Sequence, residues 1–591
     1  MTVAAWLTLA VVVATVAVMA TERVRPALAM VGAVTFLLVA GVVDAQQALA
    51  GFSNPAPITV AALYVLAAAA RKTQLLAMVT GRVLARDGRA RPSVELARVL
   101  APTAAASALL NNTPIVAMTA PAVASWAHAT GRSASRYLIP LSFAAILGGV
   151  VTLIGTSTNL VVSGLLQQAG HEPLGLFEIT WVGLPFALAG LVVLALLAPR
   201  LLPERQAPGE AAAADAREFT VEMVVTGGRL AGRTVSEAGL RNLEGVFLVE
   251  IERDGTAIAP VAPEEPLVEG DRLIFAGNVD RVLDLQQTPG LVSAEERHFS
   301  VAGASSARRT YEIVVSADSR LVGSTLKEAD FRARYGAVVL AIHRAGHRVR
   351  TKLGEVPLGP GDVLVVLAGS DFRARALDGR DFLVVAPLGW ETTKAPEKTA
   401  LVALVVAGLL VAAGTGLLDI LPAALLAALA LVAFGALSAA EARDAIDLNV
   451  IVLIAASFGL GAAMSVSGLA GSAAELVLRP LGGLGYAGLV LGVLVATALL
   501  TEIVTNNAAA VLMFPIALSA AEQAAVDPRG LAIAVALGAS SSFLTPIGYQ
   551  TNTMVYGLGG YRFGDFARLG LPLTLVMLVV ALLVIPRVWP G

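Results

Sequence analysis

Cysteine is missing altogether from the 591 residues, which rules out disulfides, thiolate metal sites and cysteine nucleophiles. Charge is scarce too: Asp, Glu, Lys and Arg make up 15% of the chain, against roughly 25% in an ordinary globular protein. A formal net charge of −2 gives no basic surface for nucleic acid. Apolar sequence takes the place of charge, at 56% of the residues with a mean hydropathy of +0.76. Runs able to cross a bilayer, alone or with their flanks, recur at both ends, as in Trp6–Met19, Tyr137–Leu153, Leu401–Val411 and Leu571–Ile585. The middle, from about Pro203 to Lys398, holds most of the charge and alternates apolar with polar residues. No basic stretch precedes the first run, so it reads as a retained helix and not as a cleaved signal.

The two apolar regions echo each other. Thr152-Leu-Ile-Gly-Thr-Ser-Thr-Asn159 near the end of the first returns as Thr545-Pro-Ile-Gly-Tyr-Gln-Thr-Asn552 near the end of the second, with Gly164 and Gly557 five residues on. Upstream, Asn111-Asn112-Thr113 precedes Pro121, and Thr505-Asn506-Asn507 precedes Pro515, with the same step from the middle Asn to the Pro. Downstream, Glu178 precedes Gly183-Leu184-Pro185 as Asp565 precedes Gly570-Leu571-Pro572. Shared spacings of this kind mark a duplication.

Each half carries apolar segments in the same order, near 4–20, 27–43, 55–70, 99–127, 137–168 and 180–202, then 398–416, 420–437, 449–466, 484–519, 530–558 and 570–587. The fourth segment of each is interrupted by its Asn/Thr triplet, and each arm is short for a full span, which favours a re-entrant hairpin. Five crossings per half follow, an odd number that inverts the second half; hydropathy alone leaves six crossings open. The expected fold is a polytopic α-helical membrane protein of two inverted repeats, each with a re-entrant hairpin and a broken helix, around two small α+β soluble domains. The boundaries are 1–203 and 397–591 for the membrane repeats, and 204–300 and 301–396 for the inserted domains. Arg71, Lys72, Arg82, Arg86, Arg89, Arg91 and Arg98 crowd one loop, with Arg132, Arg136, Arg200 and Arg205 following on the same side, so the insert is expected in the cytoplasm and the chain in the inner membrane.

The motif segments hold Asn, Thr, Ser and Gly but no Lys, Arg or His. Amide, hydroxyl and freed carbonyl oxygens are hard neutral ligands, suited to an alkali cation and not to a transition metal. A helix restarting after a break offers N–H groups and a positive dipole end to an anion. A lone Ser or Asn in a membrane helix is ordinarily a packing group; duplicated pairs at helix breaks point to ligands. Glu502 is an intramembrane acid whose repeat counterpart is Ala108, and it reads either as a proton site or as a structural hydrogen-bonding group at a helix end.

These residues resemble the divalent-anion:sodium symporter family, whose hallmark is a Ser-Asn-Thr triplet at the tip of a hairpin in each half and a Gly-Thr-Pro-Pro-Asn-like motif after it. The resemblance covers both membrane halves. It implies one sodium site at Ser107, Asn111, Asn112, Gly155 and Asn159, and another at Thr501, Thr505, Asn506, Gly548 and Asn552. It also implies an anion facing Asn112, Thr113, Thr156, Asn506, Asn507 and Tyr549. Asn111 and Thr505 replace serine, Asn507 replaces threonine, and both proline pairs are gone.

The insert is itself repeated at an offset of 91: Leu230-Ala-Gly232-Arg-Thr234 returns as Leu321-Val-Gly323-Ser-Thr325. Gly245, Ile251, Arg253, Gly255 and Gly270-Asp271 pair with Gly336, Ile342, Arg344, Gly346 and Gly361-Asp362. Each copy reads as a strand, a short helix and three strands, and resembles the C-terminal domain of potassium-uptake regulators, the TrkA-C type. That resemblance, in the sulfate-transporter branch, implies a ligand-sensing, gating or dimer-forming module, with regulation by a small molecule set slightly ahead of a plain spacer at a dimer interface.

The expected function is therefore sodium-coupled symport of a divalent oxyanion, sulfate ahead of dicarboxylates, by a homodimer in membrane lipid, with sodium as coupling ion and no other cofactor. Alternatives are an antiporter or exporter of a cation or metalloid oxyanion using Glu502, and a ligand-gated channel. An enzyme is not expected.

Overall fold

The computed structural model describes residues 1–20, 24–73, 92–130, 132–205 and 398–590 of the apolar regions. In the insert it describes 220–226, 230–240, 246–253, 256–258, 261–277, 290–293, 308–316, 319–344, 347–349, 353–369, 372, 376 and 381–387. Arg82, Arg86, Arg89, Arg91, Gly245, Gly255, Gly346 and the boundaries at 300/301 and 396/397 lie outside the described residues.

The first half contributes α1 (Val3–Ala20), α2 (Pro26–Val39), α3 (Ala45–Leu49), α4 (Pro55–Lys72), α5 (Pro92–Ser107), α6 (Asn112–Ala129), α7 (Leu138–Gly149), α8 (Ser157–Gln168) and α9 (Thr180–Leu201). The insert holds strands β1–β10 and the short α10 (Phe331–Tyr335). The second half has α11 (Thr399–Gly414), α12 (Ile420–Ala433), α13 (Ala439–Ala445), α14 (Leu448–Val466) and α15 (Leu469–Leu481). It continues with α16 (Gly485–Thr501), α17 (Asn506–Ala524), α18 (Pro528–Ser540), α19 (Gln550–Leu558) and α20 (Phe563–Val588). Among the described residues four helical stretches are long and apolar enough to cross a membrane: 45–72, Thr180–Leu201, Leu448–Val466 and Phe563–Val588.

Chain chemistry sets these limits. Asn54 accepts from Ala56 N–H to start α4 with prolines in its first turn, and Asp447 and Asp527 cap α14 and α18 in the same way. The triplets split the fourth segment of each half into α5 and α6, or α16 and α17, which pack side by side as helical hairpins. The fifth segment is interrupted too, by 150–156 between α7 and α8 and by 541–549 between α18 and α19.

Packing follows the repeat. α5 lies on α7 as α16 lies on α18, α9 crosses α5 and α7 as α20 crosses α16 and α18, and α2 meets α14 as α12 meets α4. The halves are joined by α9 against α20, α8 against α17 and α18, and α19 against α6 and α7. Gly183 and Gly570 make the α9 and α20 crossings close, since a side chain at either would collide with the carbonyl of Val150 or Phe543 in the interrupted stretch beside it. Between α6 and α7, Arg132 pairs with Glu95 at 2.8 Å and Arg136 with Glu204 at 2.7 Å, where Ser133 and Ser135 also bond the chain leaving α9.

The insert forms two five-stranded antiparallel sheets, β3-β2-β4-β1-β5 and β10-β6-β9-β7-β8, which are the same topology read from opposite edges. Their strands are β1 (Thr220–Val225), β2 (Val246–Arg253), β3 (Thr256–Ile258), β4 (Arg272–Gly277), β5 (Leu291–Ser293), β6 (Arg308–Val315), β7 (Ala337–Arg344), β8 (His347–Arg348), β9 (Val363–Gly369) and β10 (Phe382–Pro387). Each sheet has one strand more than the sequence reading, because β5 is three residues long and β10 lies beyond the stretch where the repeat is legible. Arg253 and Asp271 form a bidentate pair at 2.8 Å, and their counterparts Arg344 and Asp362 do so at 2.8 and 2.7 Å, closing the Gly-Asp turn in each domain.

Candidate functional site

The hairpin tips meet the helix interruptions of the opposite half. Asn112, fully buried at the start of α6, accepts from the Ser107 hydroxyl through Oδ1 at 2.6 Å. It donates through Nδ2 to the Tyr549 hydroxyl at 2.6 Å. Thr113 donates to Gln550 Oε1 at 3.3 Å. In the other half Asn506 accepts from Thr501 at 2.9 Å, while Asn507 Oδ1 accepts from Ser157 at 3.2 Å and Thr158 at 3.3 Å. Thr113 and Asn507 are repeat counterparts, as are Gln550 and Ser157. Each triplet therefore reaches across to the restart of the other half's broken helix.

The interruptions are built alike. Asn159 Nδ2 donates to the carbonyls of Gly149 at 3.3 Å and Thr152 at 2.9 Å. Asn552 Nδ2 makes the matching bonds to Ser542 at 3.0 Å and Thr545 at 3.2 Å. A side-chain amide thus substitutes for the helical partners that those carbonyls have lost. Gly155 allows the chain to close in: a Cβ there would lie 2.5 Å from the Gly149 carbonyl oxygen and 2.9 Å from that of Ser107. A Cβ at Gly548 would lie 3.1 Å from the Thr501 carbonyl oxygen and 3.1 Å from Glu502 Oε2. Gly149 leaves room for the Asn112 amide itself, which contacts the place its Cβ would take.

Of the residues named from sequence, the structure brings together Ser107, Asn112, Gly155 and Asn159, with Thr113 and Thr156 beside them, and Thr501, Asn506, Gly548 and Asn552, with Asn507 and Tyr549. Thr156 and Tyr549 are buried at the junction between the halves. Asn111 lies in the hairpin turn, and Thr505 at the other turn is exposed. Gln550, Ser157, Thr158 and Ser142 went unrecognised in the sequence. Ser142, which donates to Thr551 at 2.9 Å and Asn552 at 2.7 Å, stands on α7 and marks a cross-half contact that no repeat match could reveal.

Oxygen is plentiful here and basic side chains are not among the contacts. Asn159 Oδ1 is buried without a hydrogen-bond partner, an arrangement that costs free energy unless a further group takes it up. The oxygens of Ser107, Asn112, Gly149 and Asn159 fit an alkali cation by type. Glu502 is already committed: Oε1 accepts from the N–H groups of Phe543 and Leu544, both at 2.9 Å, and Oε2 from Thr545 N–H at 3.0 Å and its hydroxyl at 2.8 Å.

The profile of the citrate transporter family (CitMHS) matches residues 15–538, and again 485–590. A Chlamydomonas reinhardtii protein provisionally named a sulfur deprivation response regulator is 38% identical, over 93% of this chain and 96% of its own length. A Synechocystis protein described as an uncharacterized transporter is 35% identical over 99% of this chain and 97% of its own. Sodium/sulfate cotransporter 1 of Chlamydomonas reinhardtii is 25% identical over 95% and 87%.

Proposed function

The chain belongs to the citrate transporter family, and from that premise we propose that this multi-pass membrane transporter carries a divalent oxyanion inward together with sodium. The observation that carries the proposal is the crossed pairing of Thr113 with Gln550 and Asn507 with Ser157. It puts the N-terminal ends of α6, α8, α17 and α19 around one junction, where free N–H groups and dipole ends favour an anion. Asn112, Thr113, Thr156, Asn506, Asn507 and Tyr549 face that anion. One sodium takes oxygens from Ser107, Asn111, Asn112, Gly155 and Asn159, and the other from Thr501, Thr505, Asn506, Gly548 and Asn552. Bound sodium supplies the positive charge that no side chain provides. Sulfate stands ahead of dicarboxylates because full-length relatives carry sulfur and sulfate in their names. The insert faces the cytoplasm and regulates the cycle.

An exporter driven by protonation of Glu502 is the second reading. The four donors on that carboxylate speak against it, since protonation would displace at least one of them.

The test is uptake of radiolabelled sulfate and succinate into proteoliposomes, with and without an inward sodium gradient. Sodium-driven uptake of sulfate is expected in the wild type, falling by about 100-fold or more in Asn112→Ala. Uptake that ignores sodium but follows a proton gradient would replace this reading with the second.

A further inference from the structure

Gly164 and Gly557 hold the same place in the two repeats, near the ends of α8 and α19, yet they are packed by different parts of the molecule. A Cβ at Gly164 would lie 2.7 Å from Asn54 Oδ1, 2.9 Å from Ala56 Cβ and 3.0 Å from Phe458 Cζ. Asn54 also donates to the Gly164 carbonyl at 3.1 Å. Membrane helices α4 and α14 therefore brace α8. At Gly557 the neighbours come from the second inserted domain: Val363 Cγ2 at 2.6 Å and the Gly361 carbonyl oxygen at 3.2 Å. One helical turn back, Thr553 Cγ2 would lie 3.8 Å from a Cβ at Gly361.

This contact belongs to a larger docked face. Val314 on β6 and Val363 on β9 are cross-strand neighbours, 0% and 1% exposed, and they join the apolar cluster of the membrane helices instead of their own domain's core. β6 packs on α19, and β10 packs on α6. Those two helices begin at Gln550 and Asn112, and their first residues are joined by the Asn112–Tyr549 and Thr113–Gln550 bonds. Among the described residues of the first inserted domain, buried apolar side chains form that domain's own core and none joins the cluster of the membrane helices. At the offset of 91 its counterpart to Val363 is Arg272, whose side chain is 51% exposed and lies 4.0 Å from Glu252.

We propose that the sheet of the second inserted domain is a positioning element for the anion site, holding α6 and α19 in the register that lets Asn112–Thr113 meet Tyr549–Gln550. Val363 and Val314 act through those helices and touch no substrate. The inference rests on the anion reading above and adds which inserted domain acts on the site, and through which contact.

The test exploits a chain without cysteine. Met554 on α19 is 2% exposed, so Met554→Cys gives a single maleimide-reactive reporter that needs no transport to be read. Adding Val363→Arg, which copies the first domain, is expected to speed its labelling about tenfold by loosening α19. In proteoliposomes Val363→Arg is expected to raise KM for sulfate roughly fivefold or more with a smaller change in maximal rate, whereas Arg272→Val leaves KM unchanged. If Val363→Arg does not fold, the pair Gly557→Cys and Val363→Cys decides. The close approach suits a disulfide, for which Cβ atoms stand about 3.8 Å apart, and the oxidised protein should keep the wild-type KM. Unchanged labelling in the arginine variant, or failure of the pair to crosslink, overturns the proposal. Wild-type protein that takes up neither anion would sink the functional reading alone, because the labelling rate still reports on the contact.

Discussion

Between α7 and α8 the interrupted stretch is tied back by Thr152, whose hydroxyl donates to the Ala108 carbonyl. Between α18 and α19 the corresponding Thr545 donates to the Glu502 carboxylate, which also collects three consecutive backbone N–H groups. The Nδ2 bonds of Asn159 and Asn552 match one for one, although only Asn552 has a partner for its Oδ1, so the duplication preserved the clamp on each interruption. What differs is the support behind it. The first interruption uses a single hydroxyl-to-carbonyl bond; the second uses a carboxyl group whose two oxygens accept four hydrogen bonds, which offsets the cost of holding it in an apolar setting.

Three measurements would break or sharpen that contrast. The largest effect is expected from Glu502→Ala, which strips the acceptor from three N–H groups at about 1–3 kcal/mol each. Thermal unfolding in detergent should show a loss several times that of Thr152→Val, for which about 1 kcal/mol is expected. Equal losses would mean that the two interruptions are held alike after all.

Next come the acids at the starts of α9 and α20, Glu178 just before the one and Asp565 in the first turn of the other. Asp565, 2% exposed, accepts from Arg205 at 2.8 and 3.0 Å and from the Arg562 N–H at 2.8 Å. Removing its charge in Asp565→Asn should cost about 3–5 kcal/mol. Glu178 pairs with Arg529 with 19% of its side chain exposed, so Glu178→Gln should cost less, about 1–3 kcal/mol. Burial opposes ionisation of Glu178, but hydrogen bonds from Arg529 and the Gly175 N–H hold its pKa below the ordinary 4.5. Its contribution is therefore complete above that value and lost as pH falls through the lower folded one. The stability gap between wild type and Glu178→Gln should close in acid; a gap that widens there would contradict the pairing.

The smallest effect concerns the ends of α6 and α17. Both close with an N–H to a carbonyl five residues back, Arg132 to Ala127 and Val526 to Ala521. In the second half Ala525 sits at φ 53, where the matching residue of the first half is Gly131. Ala525→Gly should gain about 0.5–1 kcal/mol by relieving the left-handed backbone, read as a small rise in Tm. No gain would mean that the surrounding packing already compensates the strain.

Much of this was legible in the sequence because a duplication prints its own ruler. The spacings located both triplets, both interruptions and the Arg–Asp turns of the insert. They relate each residue to its counterpart, however, and not to its partner. Thr113 matches Asn507 in sequence but bonds Gln550 in space, so the crossed pairing emerges only once the halves are folded against each other. Amphipathic α15 was missed because it lacks the continuous apolar run that marks a crossing. The docking of Val363 was hidden because an apolar residue in a strand reads as its own domain's core.

The ion pairs also bear on how the chain is made. Glu178 waits for Arg529, 351 residues downstream, and Asp565 needs Arg205, 360 residues upstream. At a synthesis rate of about 5–20 residues per second, the first acid is exposed for roughly 20–70 s before its arginine leaves the ribosome. During that interval the first half is a nascent intermediate with an unmatched carboxylate beside apolar helices, a state suited to chaperone binding and vulnerable to quality control if the second half is delayed.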